Sequence, residues 1–267
     1  MTLEGRSLTF RIGERALVDD VSLRVAPGEI VAVVGANGAG KSTLLKLLCG
    51  DLPLARGEVS VNGKPLARWS KRELARARAV LPQTSPLSFG FNALEVVLMG
   101  RSPHIHGVER PADYAIARSA LAAARVDHLA ARSYLTLSGG EQQRVQLARV
   151  LAQIWEDTGA RYLLLDEPTN NLDLAHQHGT LTIASDFARR GVGVLVILHD
   201  LNLAAQYADH ILVMKGGRAL AYGAPNAVLT SDIIHVAFDI DVLVQAHPCL
   251  NCPLVVAVPQ GAAVKES

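Results

Sequence analysis

The chain has 267 residues, enough for one large domain or two modest ones around a sizeable core. At 49% hydrophobic and 19% charged it has the balance of an ordinary soluble globular protein. A formal net charge of +1 provides no field that would steer it to nucleic acid or to an anionic bilayer. In chain order, Ser7 to Ile12 and Asp20 to Val25 alternate and predict two antiparallel strands, the second ending at the turn Ala26-Pro27-Gly28. Ile30 to Val34 is an apolar strand, and Leu44 to Leu48 reads as a helix. Gly57 to Gly63 predicts a further strand closed by Asn-Gly, Arg72 to Arg78 a basic helix, and Ala79 to Leu81 another strand.

From about residue 92 to 156 the texture changes to alanine and leucine with helical spacing, in Ala93 to Met99, Tyr114 to Arg125 and Glu141 to Trp155. Few strand signals occur there, so the stretch is read as a helical insertion. The α/β rhythm returns with strands at Tyr162 to Leu165, Val192 to Leu198, His210 to Met214 and Arg218 to Tyr222, and helices near His178 to Arg190 and Asn202 to Ala208. That alternation predicts a mostly parallel, covered sheet. No apolar run approaches the roughly 18 residues of a membrane span. Met1 to Arg6 lacks the apolar core of a signal peptide. Three cysteines, one of them Cys49 in an apolar helix, point to a reducing cytosol rather than a disulfide framework.

Gly35-Ala36-Asn37-Gly38-Ala39-Gly40-Lys41-Ser42-Thr43 fits the spacing Gly, four residues, Gly, Lys, Ser/Thr, and it stands between a strand and a helix. Glycines let backbone N–H groups wrap an anion, and the helix start adds partial positive charge. Lys41 would reach the β- and γ-phosphates and Ser42 would hold Mg²⁺. The apolar strand Tyr162 to Leu165 ends in Asp166-Glu167, where side chains emerge at the ligand edge of an open α/β sheet. Asp166 would contact Mg²⁺, directly or through its water, and Glu167 would act as general base or water-positioning group. Leu137-Ser138-Gly139-Gly140-Glu141-Gln142-Gln143-Arg144 opens a second helix with a capping serine and two glycines, a second anion-binding start in one chain.

Those runs, together with Gln83, His199 and Asn170-Asn171-Leu172-Asp173, stand in the order seen in ATP-binding-cassette (ABC) ATPases, which the chain resembles over roughly residues 5 to 235. The resemblance implies a P-loop NTPase fold of α/β class: a RecA-like parallel-sheet core with an N-terminal antiparallel β subdomain and a helical insertion subdomain. It implies one domain, with residues 1–86 and 157–267 forming the core and 87–156 the helical part. It also implies a homodimer in which Ser138, Gly139, Gly140, Glu141 and Gln142 act on ATP held by the other subunit, with Asp173 in the D-loop. By the same resemblance His199 touches the γ-phosphate and helps hold the water beside Glu167. Gln83 senses Mg²⁺ and that water. The aromatic residue on which family members stack adenine is replaced here by Ile12, with Phe10 two residues earlier.

Residues 88–101 are similar to importers of iron chelates, haem and cobalamin. Three features point within that group to the haem-import type: Met99-Gly100-Arg101-Ser102-Pro103-His104, the run from Gln153 to Arg161, and His199 to Ala205. The tail Val242 to Pro248 resembles that type too. A cassette without membrane segments implies two separate transmembrane permease subunits, a periplasmic haem-binding protein as indirect partner, and a peripheral place on the cytoplasmic face of the bacterial inner membrane. The rival readings are a ferric-siderophore or cobalamin importer and a soluble ABC ATPase without a transport role. Cys249 and Cys252 have clip-like spacing but no second pair near them, and are read as structural or incidental. His104, His106, His176 and His178 are read as surface and loop histidines, and Arg68, Arg72, Arg76 and Arg78 as a solvated face.

Overall fold

The computed structural model describes residues 1–83, 90–156, 159–170 and 172–259. Asn171, Ser88, Phe89 and the expected subdomain boundaries at 86/87 and 157 lie outside the described residues. β1 (Leu3–Ile12) and β2 (Arg15–Val25) form an antiparallel hairpin that turns at Gly13. β3 (Ile30–Gly35) then leads into α1 (Lys41–Cys49). β4 (Arg56–Val61) joins the other edge of β1, and β5 (Lys64–Pro65) completes a four-stranded sheet in the order β2-β1-β4-β5. α2 (Lys71–Ala77), opened by a Ser70–Glu73 capping box, runs directly into β6 (Arg78–Leu81). Three helices follow: α3 (Ala93–Met99), α4 (Pro111–Ala123) and α5 (Gly139–Gln153), which pack on one another.

β7 (Arg161–Asp166), α6 (Leu174–Arg189), β8 (Val192–Ile197), α7 (Leu201–Tyr207), β9 (His210–Lys215) and β10 (Arg218–Gly223) complete the core. The main sheet has the order β10-β9-β3-β8-β7-β6, parallel except for β10. Every residue of β3, β7 and β8 is buried, which explains the apolar runs at 30–34, 162–165 and 192–197. Their alternate side chains fill two cores. Val31, Val33, Leu164, Leu195 and Ile197 face α1 and the antiparallel sheet. Ala32, Val34, Leu163, Leu165, Val194 and Val196 face the helices on the other side. Two helices and a hairpin follow that the sequence reading did not resolve: α8 (Pro225–Val228), α9 (Ser231–Phe238), and β11 (Val242–Ala246) paired with β12 (Pro253–Ala257). The hairpin is anchored by Asn202 of α7, whose amide both donates to Val255 O (3.1 Å) and accepts from Val255 N (2.8 Å).

The basic residues of α2 and β6 are not simply a solvated face. Arg72 donates to Pro103 O (2.8 Å) and Ile105 O (2.6 Å), Arg76 to Pro103 O (2.9 Å), and Arg78 to Leu48 O (3.2 Å). Carbonyls at the end of a loop need such donors, and guanidinium groups satisfy two at a time. His104 is likewise no surface group. Its ring lies between Gln153 O (2.8 Å) and the Glu156 carboxylate (2.9 Å), and burial holds the imidazole below its ordinary range despite that carboxylate. His176 and His178 stand in α6 rather than in a loop.

The run Met99 to His104 acquires a structural reason. Gly100 lies so close to α5 that a Cβ would sit 2.0 Å from Arg149 O. The Arg101 side chain, 1% exposed, reaches Asp113 (3.1 Å), Glu156 (3.0 Å) and Ala152 O (2.8 Å), tying the post-α3 loop to α4 and the end of α5. Removing one partner of a buried ion pair strands the other charge, at about 3–5 kcal/mol. Arg101→Ala is therefore expected to lower unfolding free energy by about that much in denaturant titrations. A loss below about 1 kcal/mol would show that Arg101 does not hold this seam.

Candidate functional site

The phosphate loop follows β3, the central strand between β8 and β9. Two of its glycines are sterically required. At Gly35 a Cβ would lie 2.3 Å from Met214 O, and at Gly40, with φ 99°, it would lie 2.5 Å from Leu17 O. Gly40 precedes α1 and contributes no side-chain cap, so the first N–H groups of the helix remain available to an anion. Lys41 is buried and folds back onto the loop, donating to Gly35 O (2.7 Å) and Ala36 O (3.2 Å). Burial pulls its ammonium below the usual lysine range, and the Glu167 and Asp166 carboxylates partly restore it. Asn37, Gly38, Ala39, Gly40, Lys41, Ser42 and Thr43 line a cavity of about 270 Å³ with Arg15, Leu17 and Glu167.

Three adjacent parallel strands deliver the polar cluster beside this loop. Gln83 lies just past β6, Asp166 ends β7, Glu167 follows it, and His199 follows β8. Ser42 Oγ donates to Asp166 Oδ1 at 3.2 Å. Burial pushes the Asp166 carboxyl above its ordinary range, and the Ser42 hydroxyl draws it back. Glu167 is held on both oxygens. His199 Nε2 lies 2.6 Å from Oε1, while Gln83 Nε2 (2.5 Å) and the Asn170 amide donate to Oε2. Its backbone has φ 51°, a left-handed conformation that costs a non-glycine residue roughly 1–2 kcal/mol.

Ser42 and Asp166, with the Gln83 amide nearby, offer hard oxygen donors of the kind that hold Mg²⁺ together with phosphate oxygens and water. Among the described residues, no group of three or more His, Cys, Asp or Glu side chains is placed to hold a metal ion by itself. The donor set thus suits a cation that arrives with a phosphate ligand, and the residues fit that group.

The second glycine-bearing helix start lies close by. Ser138 caps α5 in a reciprocal box with Glu141: Glu141 N donates to Ser138 Oγ (3.4 Å), and Ser138 N donates to Glu141 Oε2 (2.7 Å). Gly139, Gly140 and Gln142 line a cavity of about 740 Å³ with Gln83, Asp166 and Glu167. Ser138 and Glu141 line neither cavity. Asp173 caps α6, accepting from His176 N (2.9 Å), and stands outside both as well. Ile12 is 63% exposed at the hairpin end, and Phe10 packs into the core beneath the antiparallel sheet.

Sequence reasoning missed the parts played by four residues. Arg15 and Leu17, just past the Gly13 turn, reach the phosphate-loop cavity because β2 runs alongside it. Gln143 Nε2 donates to Pro168 O (2.6 Å) and ties α5 to the turn after Glu167. The contact of Asn170 with Glu167 went unread, although its i+3 spacing after Glu167 is a turn signal.

A family model described as ABC transporter matches residues 18–170, more than half of the chain. The chain is similar to hemin import ATP-binding proteins of Gloeobacter violaceus (57% identical, 98% of this chain and 95% of that protein), Myxococcus xanthus (52%, 98% and 98%) and Pseudomonas fluorescens strain Pf0-1 (51%, 96% and 99%). Among solved structures it resembles a chain described as a metal-chelate type ABC transporter in an inward-facing conformation, with TM-score 0.82, 29% identity and 97% of each chain covered. It also resembles a dimeric bacterial ABC transporter cassette, with TM-score 0.71 and 26% identity, covering 84% of this chain and 98% of that one. With the phosphate loop, the paired carboxylates and the capped glycine helix in one fold, this chain belongs to the ABC transporter family as an ATP-hydrolysing cassette.

Proposed function

We propose that this cassette powers a bacterial haem importer, working as a homodimer on the cytoplasmic face of the inner membrane beneath two transmembrane permease subunits, with a periplasmic haem-binding protein supplying the cargo. The observation that carries this reading is 51–57% identity, over 96–98% of the chain, to hemin import ATP-binding proteins from three bacteria. Among the described residues no helix is long and apolar enough to cross a membrane, so the path for cargo belongs to other chains in this reading. The helical part at 87–156 and the core at 1–86 and 157–267 would serve as its two moving bodies. The likeness to a metal-chelate type transporter, at 29% identity, favours a ferric-siderophore or cobalamin importer as the second reading.

The chemistry follows from groups already in place. ATP phosphates lie against the N–H groups of the loop from Gly35 to Thr43, and Lys41 exchanges the Gly35 and Ala36 carbonyls for the β- and γ-phosphates. Mg²⁺, when bound through Ser42 and Asp166 near Gln83, supplies charge neutralisation on those phosphates. Glu167 accepts a proton from water or orients it as the water oxygen attacks the γ-phosphorus and the bond to the β-phosphate oxygen breaks. His199, 2.6 Å from Glu167, would touch the γ-phosphate and help hold the water in this reading. Gly139 and Gly140, with Ser138, Glu141 and Gln142 of the same helix start, would act on nucleotide held by a second copy of the chain, a use supported by the likeness to a dimeric cassette. Asp173, the N-cap of α6, would take the D-loop part in that dimer.

Three outcomes test this reading. Glu167→Gln keeps ATP affinity but lowers kcat about 10²–10⁴-fold in a phosphate-release assay, and Lys41→Ala loses both; turnover at the original rate in either variant would reject the assigned role. Asp166→Asn removes a buried carboxylate, so its nucleotide-free Tm should rise while Mg²⁺-dependent turnover is lost; a lower Tm with normal turnover contradicts the metal assignment. For cargo, the complex reconstituted with its permease and binding protein should hydrolyse ATP faster with haem than with ferric siderophore or cobalamin. A response to one of the latter alone would favour the second reading.

A further inference from the structure

The turn after β7 does more than carry the chain away from the sheet. Asn170 N donates to Glu167 O at 3.2 Å, closing the turn, and the Asn170 side-chain amide donates to Glu167 Oε2. Gln83 Nε2 donates to that same oxygen from the end of β6, at 2.5 Å. Oε1, by contrast, faces His199 Nε2 at 2.6 Å. The carboxylate thus has one oxygen occupied by two amide donors and the other turned toward an imidazole. Asn170 and Gln83 both line the 740 Å³ cavity that also holds Gly139 and Gly140. Gln143 of α5 grips the same turn through Pro168 O at 2.6 Å. The left-handed backbone at Glu167, φ 51°, is a conformation that only surrounding bonds can maintain in a residue with a Cβ.

We infer that Asn170 is a positioning residue for hydrolysis: with Gln83 it saturates Glu167 Oε2 and so assigns Oε1, the oxygen shared with His199, to the attacking water. This rests on the reading of Glu167 as the group that acts on water. The physical argument is a matter of lone pairs. A carboxylate that accepts two N–H donors on one oxygen is fixed in rotation about its terminal torsion, which is otherwise broad. Oε1, which faces His199 alone, keeps a further lone pair for water and is the more available oxygen. An amide suits the task because it donates at neutral pH without adding charge, whereas a carboxylate at position 170 would repel Glu167. Because Asn170 also closes the turn that leads to Asp173, the aim of the base and the placement of the following segment share one anchor.

The test uses the full-length protein with Mg²⁺-ATP. Asn170→Ala is expected to lower kcat about tenfold, while KM and the Kd for ATP stay within about twofold. Asn170→Ser, which keeps a donor, should recover part of that loss, and Asn170→Asp, the same size without a donor, should lose more. Combining Asn170→Ala with Glu167→Gln should lower kcat no further than Glu167→Gln alone, because the two act as one unit. Unchanged kcat in both Asn170→Ala and Asn170→Asp, or a rise in KM with kcat unchanged, overturns the inference. Glu167→Gln run in parallel separates the failures: near-normal turnover in that variant sinks the assignment of Glu167 itself, whereas its loss beside an unaffected Asn170→Ala sinks only the role of Asn170. Should Asn170→Ala fail to fold, Asn170→Asp and Asn170→Ser carry the comparison.

Discussion

The site depends on one arrangement: a carboxylate, Glu167, held at the end of a buried strand by donors from the two neighbouring strands and from its own turn. β6, β7 and β8 are adjacent and parallel, so their carboxyl ends arrive together and bring Gln83, Asp166, Glu167 and His199 to one edge. An antiparallel order would send alternate strands' ends to the opposite edge and disperse the cluster. The apolar runs of β7 and β8 are thus part of the chemistry, because burial on both faces fixes where their last residues emerge.

Burial also sets the electrostatics of the candidate site. Lys41 is held below its usual range and Asp166 above it, both chiefly by desolvation. Each is an ionisable group short of solvation, a pattern found at functional sites. Meanwhile Lys41 is parked on two loop carbonyls rather than left unpaired. The polar atoms of the site bond to one another, which keeps the loop in shape.

The helical segment is joined to the core by a hydrogen-bonded seam at one end and by the polar site at the other. Arg72 and Arg76 reach the loop carbonyls of Pro103 and Ile105, and Gln153 at the end of α5 donates to Ala75 O (2.7 Å) and Arg78 O (3.0 Å). At the other end Gln143 holds Pro168 O. The helix that opens with Ser138-Gly139-Gly140 is therefore tied both to the turn after Glu167 and to the edge strand β6.

Strand and helix periodicity marked most of the core, because strands buried on both faces and amphipathic helices leave strong local patterns. The phosphate loop, the paired carboxylates and the capped glycine helix were legible because close anion binding and helix capping restrict residue type and spacing. Other features had no such local imprint. Arg72, Arg76 and Arg78 read as a solvated face, yet Arg72 and Arg76 hold loop carbonyls and Arg78 a carbonyl at the end of α1, each about 30 residues away in sequence. The sequence likewise showed Met99 to His104 only as a likeness, where the fold makes Arg101 a buried clamp. The hairpin β11–β12 is pinned by the Asn202 amide of α7 and packs Val242, Val244 and Val255 against the core. Residue order alone determined which chemistry this chain carries and in what sequence its parts appear. The tertiary structure decided which oxygen of Glu167 is occupied, which cations are buried and which side chains share a cavity, because those follow from strand order and from contacts between segments that no local pattern encodes.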